Sequence, residues 1–189
     1  MKRLSIFVSG NGTNLQRIAE YFSNNPNVEI VNVVCNNPKA YSIERAKNLG
    51  IPLRMITKQD FNSEAFVKEM QSLHIDLIVL AGFLWKLPED LVKAFPKKIV
   101  NIHPALLPKY GGKGFYGEHV HEAVVAAKEA QSGITVHYVN EIYDSGEIIL
   151  QAHVALEKEE TPDSLAAKIH KLEQAYFPVA IEYVLRSQE

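Results

Sequence analysis

A chain of 189 residues, 47% of them hydrophobic, is long enough to bury one sizeable core. Its formal net charge of −2 gives no electrostatic reason to expect a nucleic-acid or membrane-surface partner. Cys35 is the single cysteine, which rules out an internal disulfide framework and a thiolate metal site, and no run of about 18 apolar residues offers a membrane span.

The opening MKRLSIFVS has the basic start of a secretory signal, but its apolar run ends after Val8 in a polar glycine loop, so it reads as a first strand. TNLQRIAEYFSN fits a helix with Leu15, Ile18, Ala19 and Phe22 on one face. VEIVNVVCN (28–36) is a second strand, YSIERAKNLG a short helix ending on Gly50, and PLRMI a third strand. SEAFVKEMQSLH (63–74) is helical, with Ala65, Phe66, Met70 and Leu73 as its apolar face. DLIVLAG (76–82) is apolar nearly throughout, as a strand covered on both sides must be. A short helix from Pro88 to about Ala94 leads into the strand KKIVNIH. GITVHYVN and EIILQAHVAL are joined by too few residues for a crossover and are expected to pair antiparallel. Thr161 then caps a long helix with Pro162 at its first position, and apolar residues recur to Leu185. The expected fold is α/β: a single Rossmann-like domain over residues 1–189, mostly parallel, with helices on both faces and an antiparallel C-terminal strand pair. A soluble, cytoplasmic protein is the expectation.

SGNGTN (9–14) joins the first strand to the first helix. Ligands of open α/β sheets bind outside the carboxyl ends of the strands, and the amides of Gly12, Thr13 and Asn14 fall at a helix N-terminus suited to a phosphate. A tight turn capped by Asn or Thr is the plainer alternative. A dinucleotide fingerprint would need a glycine where Leu15 stands and an acid closing the second strand, which instead ends in CNNP. A nucleoside-triphosphate loop would need a Lys-Ser/Thr pair. A phosphate monoester suits the loop better.

In NIHPALLPKYGG (101–112), Asn101 and His103 project from one strand face while Ile102 points away, and Pro104 ends the strand at the sheet's carboxyl edge. An amide NH₂ and a cationic imidazole aimed at one oxygen would stabilise a tetrahedral oxyanion. Such a histidine needs a pKa above its usual ~6.5, which a nearby carboxylate raises. Asp144, in the loop between the last two strands, is the candidate, with a turn-forming Asp-Ser-Gly as the alternative. No serine or cysteine stands in a nucleophile-elbow context, so direct attack by a substrate is expected.

Together, VSGNGTNLQ, VLAGFLWKLP, NIHPALLPKYGG, YDSGEIILQ and KLEQAYFP resemble the phosphoribosylglycinamide formyltransferases, within the formyltransferase superfamily. NIHP-x-LLP with an aspartate before Gly146 is shared across that superfamily, and the opening SGNGTNLQ selects the ribonucleotide enzymes. The resemblance implies the formyltransferase fold and transfer of formyl from 10-formyltetrahydrofolate, a co-substrate, to the amine of glycinamide ribonucleotide in purine (IMP) biosynthesis. It implies that Asn101 binds the formyl oxygen, His103 is the general acid and Asp144 raises its pKa and orients the ring. Gly12, Thr13 and Asn14 would hold the phosphate, and Glu173, with His170 nearby, the ribose hydroxyls. Folate would lie along Leu84, Trp85, Lys86 and Leu87 and against Asn140, Glu141, Ile142 and Tyr143. No metal is expected, the partners are small molecules, and the chain would be a monomer or weak homodimer.

This sequence departs from the pattern in three places. Trp85 stands where the family commonly has arginine, Ser63 falls where another arginine is often used near the folate tail, and GGKGFYGEHVH is longer than the usual turn, placing Lys113, Tyr116, His119 and His121 at the rim. His119-x-His121 lacks the spacing and cysteines of a metal site. Formyltetrahydrofolate hydrolase is the second enzyme reading, set back because such proteins carry an N-terminal regulatory domain while the first strand here starts at residue 3. Transfer-RNA formyltransferases carry a C-terminal RNA-binding domain, and sugar-amine formyltransferases a nucleotide-sugar site. A non-catalytic folate- or phosphate-binding sensor of the same fold is the reading from another class.

Overall fold

Strand β1 (Lys2–Val8) is buried from Leu4 through Val8, as a strand covered on both faces requires. A computed structural model describes residues 1–188. It continues with α1 (Thr13–Phe22), β2 (Val28–Cys35), α2 (Ser42–Asn48), β3 (Leu53–Met55), α3 (Lys58–Phe61), α4 (Glu64–Ser72), β4 (Leu77–Leu80) and α5 (Glu89–Ala94). Then come β5 (Ile99–His103), α6 (Glu118–Ala126), β6 (Gln131–Tyr138), β7 (Ile148–Ala155) and α7 (Pro162–Ser187). The strand order is β3-β2-β1-β4-β5-β6-β7. β1 pairs parallel with β2 and β4, β2 parallel with β3, and β6 antiparallel with β7, so the mostly parallel sheet with its antiparallel C-terminal pair is as the sequence predicts.

The chain divides into two compact units: Met1–Val100 with the end of α7 from Ile181, and Asn101–Ala180. The first contains an aromatic cluster in which Phe7 meets Phe61, Phe66 and Phe83 edge-on, at ring separations of 6.4, 6.1 and 5.4 Å. Each such side chain buried contributes about 1.5–3 kcal/mol. Two local expectations need correction here. The sequence reading leaves 58–61 outside any helix, yet Thr57 and Asp60 form a reciprocal capping box that starts α3 and delivers Phe61 to the cluster. On α4 the buried residues are Phe66, Val67 and Met70, while Ala65 is exposed, so the apolar face is turned from the predicted one.

In the second unit, β6 buries Ser132, Thr135 and His137 among its apolar residues, each hydrogen-bonded or packed against β7 and the segment after β5. The start of α7 is as the sequence predicts: the Ser164 N–H donates to Thr161 Oγ1 at 3.1 Å, and Pro162 is the first helical residue. Glu160 braces this turn. Its carboxylate accepts the Glu157 N–H, Lys168 Nζ at 2.6 Å and the Ser164 hydroxyl, and its side chain is 4% exposed. The Glu157 N–H, Lys168 and Ser164 together hold its pKa down from 4.5 to about 2. A carboxyl depressed on folding contributes stability that is present above its unfolded pKa and lost as pH falls through the folded one. Thermal midpoints are therefore expected to fall between pH 4.5 and 2 in the unaltered protein. Glu160→Gln should lower the midpoint at pH 7 and flatten that acid limb; an unchanged limb would show that Glu160 carries none of it.

Candidate active site

Pro104 breaks β5 immediately after His103, so Asn101 and His103 stand on the last turn of pleat before a loop. Alternation puts both on one face, and their neighbours bear this out: each lies beside His137, Asp144 or both. Asn101 Nδ2 donates to His137 Nε2 at 3.2 Å, and His137 Nδ1–H donates to the Tyr138 carbonyl at 2.8 Å. These two bonds make Nδ1 the donor nitrogen of His137, and they leave the second hydrogen of the Asn101 amide for another acceptor. The loop after β5 is pinned from below. Thr135 Oγ1 donates to the Ala105 carbonyl and accepts the Leu107 N–H, while Gln151 Nε2 donates to Thr135 Oγ1 and the Leu107 carbonyl. The Leu107–Pro108 peptide is cis.

Asp144 reaches the pair from the β6–β7 connection. Gly146 passes so close to β6 that a Cβ there would run into the Tyr138 carbonyl oxygen, and the Tyr138 N–H donates to the Glu147 carbonyl at 2.9 Å. This tight closure needs glycine at 146 and turns the backbone at Asp144 to φ 50, a left-handed conformation that aspartate tolerates. Asp144 Oδ2 accepts the Gly112 N–H at 2.9 Å and lies 3.7 Å from His103 Nδ1, and Oδ1 lies 3.6 Å from His137 Nε2. Burial by itself would raise the Asp144 carboxyl, but His137, the Gly112 N–H and His103 together hold it below the usual range.

His103 is 4% exposed, and its Nε2–H donates to the Tyr110 carbonyl at 2.6 Å. Burial pushes its pKa below the usual 6.5, outweighing the raising effect of Asp144 and of the Tyr110 bond. Asp144 pulls in the expected direction, but burial of the ring outweighs one carboxylate at 3.7 Å, so the net shift is downward and not upward. With Nε2–H given to the Tyr110 carbonyl, a second proton on the ring would go to Nδ1, which faces Asp144 at 3.7 Å.

The other candidates divide between the two units. In the first, Gly12 has φ 78 and caps α1 without any side-chain hydrogen bond, while Thr13 and the buried Asn14 begin the helix. A Cβ on Gly12 would strike Ser42, so the turn admits glycine alone. Of the segment 84–87, Leu84 is exposed and Leu87 buried, Lys86 is exposed, and Trp85 packs on Phe61 and Phe83 with Lys58 Nζ 5.8 Å from its ring centroid. In the second unit, Asn140 Oδ1 accepts the Ile142 N–H and the Ser145 hydroxyl, so that side chain shapes its own loop, from which Glu141, Ile142 and Tyr143 are exposed. On α7, His170 Nδ1 lies 3.5 Å from Glu173 Oε2, and that contact raises the histidine's pKa. The segment read as a long loop ends earlier than expected: α6 starts at Glu118, so His119 and His121 are helical, with His119 exposed and His121 buried. No group of three potential metal-ligating side chains occurs among the described residues, and no helix among them is long and apolar enough to cross a membrane.

Sequence reasoning missed His137. The signal was present as Thr135-x-His137, a polar pair at period two in the buried second half of the strand, the same pattern that singled out Asn101 and His103.

Residues 2–181 match the model of the formyl transferase family. The chloroplastic phosphoribosylglycinamide formyltransferase of Arabidopsis thaliana is 40% identical over 182 residues, covering 90% of this chain and 62% of that protein. The chain thus spans about three-fifths of the length of that relative and of its Vigna unguiculata counterpart. The phosphoribosylglycinamide formyltransferase of Haemophilus influenzae is 36% identical over 189 residues, covering 97% of this chain and 87% of that one. Among solved structures, the phosphoribosylglycinamide formyltransferase of Bacillus halodurans superposes with a TM-score of 0.89 at 32% identity, covering 100% of this chain and 97% of its own. With a family match that takes in β1 through most of α7 and the asparagine, histidine and aspartate just described, the chain belongs to the formyl transferase family.

Proposed function

We propose that the protein transfers the formyl group of 10-formyltetrahydrofolate to the amine of glycinamide ribonucleotide. The observation that carries this reading is the placing of His103 and His137 against the Asp144 carboxylate at a strand end, with Asn101 bonded to His137. The named relatives carry the choice of acceptor.

The uncharged amine attacks the formyl carbon, forming a C–N bond and placing negative charge on the formyl oxygen. The Asn101 amide donates its second hydrogen to that oxygen, and His103 faces the same charge. A developing anion adds to the pull of Asp144 and offsets the burial that lowers the His103 pKa, so the ring holds its second proton as the oxyanion forms. Collapse of the intermediate breaks the bond to folate N10, and the proton lost by the attacking nitrogen ends on N10 through His103 or water. Asp144 holds the ring in register and His137 holds the Asn101 amide.

In this reading Gly12, Thr13 and Asn14 receive the substrate phosphate at the uncapped start of α1. Glu173, with His170 beside it, takes the ribose hydroxyls. Leu84, Trp85, Lys86, Leu87 and the loop Asn140 to Tyr143 line the folate.

The deciding experiment incubates the protein with 10-formyltetrahydrofolate, with and without glycinamide ribonucleotide, and follows tetrahydrofolate. Release only with the ribonucleotide is expected. Release without it would make the protein a hydrolase, and release in neither tube would leave a binding protein of the same fold.

A further inference from the structure

The loop before α1 is held in shape by α2 and by the first turn of α1, and Arg45 is the side chain that binds it. The Gly10 carbonyl accepts the Ser42 N–H at 3.1 Å, the Asn11 carbonyl accepts Arg45 Nε at 2.9 Å, and the Gly12 carbonyl accepts the Gln16 N–H at 2.9 Å. Each oxygen that would repel an anion is therefore occupied. Successive backbone N–H groups in such a turn form a concavity that suits an anion. Arg45 closes on Asn11 twice, since its Nη2 also donates to Asn11 Oδ1 at 2.9 Å, and its guanidinium stacks 5.0 Å from the Tyr41 ring centroid. Gly12 leaves no room for a Cβ against Ser42 and would meet the Arg45 stem as well. Both hydrogen bonds of Arg45 to Asn11 are exposed, and exposed charged contacts contribute little to stability. A three-point clamp that adds little to the fold and fixes the turn before an uncapped helix acts on whatever that turn binds.

We infer that Arg45 is a positioning residue for phosphate recognition: it keeps the Asn11 carbonyl turned toward α2, so that N–H groups of the turn face the phosphate, and thereby sets affinity for the ribonucleotide alone. The inference rests on the reading above, in which this loop holds the substrate phosphate. Lysine preserves the charge but cannot present two hydrogens in a fixed fork to one residue.

The test compares the unaltered protein with Arg45→Ala and Arg45→Lys, varying each substrate in turn, with inorganic phosphate as a competitor of the ribonucleotide. In both variants the KM for glycinamide ribonucleotide and the inhibition constant of phosphate should rise together by roughly tenfold, the value of one charge-assisted hydrogen bond. The kcat, the KM for 10-formyltetrahydrofolate and the thermal midpoint should hold. An unchanged ribonucleotide KM in Arg45→Ala overturns the inference, and so does full recovery in Arg45→Lys, which would make the effect one of charge and not of geometry. Parallel loss of kcat and thermal midpoint would show a structural role only and likewise overturns it. Failure of the underlying reading is separate and visible in the unaltered protein, as turnover that ignores both the ribonucleotide and added phosphate.

Discussion

His103→Ala is expected to lower kcat for formyl transfer by about 10²–10⁴-fold, the span over which a positioned general acid acts. His137 also faces the Asp144 carboxylate, but its Nε2 already accepts from the Asn101 amide, so it is engaged elsewhere and does not take over the role of the His103 ring. The loss should appear in kcat more than in either KM, because the charge it answers exists only as the oxyanion forms. Removing the ring leaves the half-buried Tyr110 carbonyl without its Nε2–H partner, at a cost of about 1 kcal/mol. That cost is a fraction of a typical domain's stability, so a folded but slow protein should be recovered. Steady-state kinetics beside a thermal melt checks both halves. A rate close to that of the unaltered protein would remove His103 from the chemistry.

Asp144→Asn isolates the charge from the shape. Asparagine can still accept the Gly112 N–H, so the tight β6–β7 connection has no reason to move. What disappears is the main influence raising the His103 pKa against burial. Burial already holds the His103 pKa below its usual value, and losing the carboxylate lowers it further. The variant is therefore expected to lose, at neutral pH, part of the roughly 10²–10⁴-fold that a positioned general acid supplies. Its decline of kcat with rising pH should also begin at a lower pH than in the unaltered protein. A full pH profile of kcat in both proteins decides the matter. A reduced rate with the limb unmoved would make Asp144 a purely geometric support for the ring.

Several elements were legible from local pattern alone. β1, β4 and the antiparallel β6–β7 pair follow from runs of apolar residues and from connections too short to cross over. α3 was not legible, because four residues carry no periodicity and only the Thr57–Asp60 exchange identifies it. The start of α6 escaped for a related reason: Gly111, Gly112, Gly114 and Gly117 read as loop, and nothing local says that the helix begins at Glu118. The apolar face of α4 was misplaced because Ala65 is small enough to sit on either side of a helix, and packing exposed it.

At the site, the sequence by itself determined the strand-end pair Asn101 and His103, since side chains two apart on a strand share a face whatever surrounds them. It also determined the glycine turn before α1, where φ 78 excludes other residues, and the aspartate of the β6–β7 connection. Only the tertiary structure decided that His137 joins the group, that Arg45 holds the turn, that Trp85 is packed on Phe61 under Lys58, and that burial lowers the His103 pKa. The physical reason is common to all four. A side chain's direction is local, but its burial and the charges facing it come from residues far along the chain, and those set its protonation and its partners.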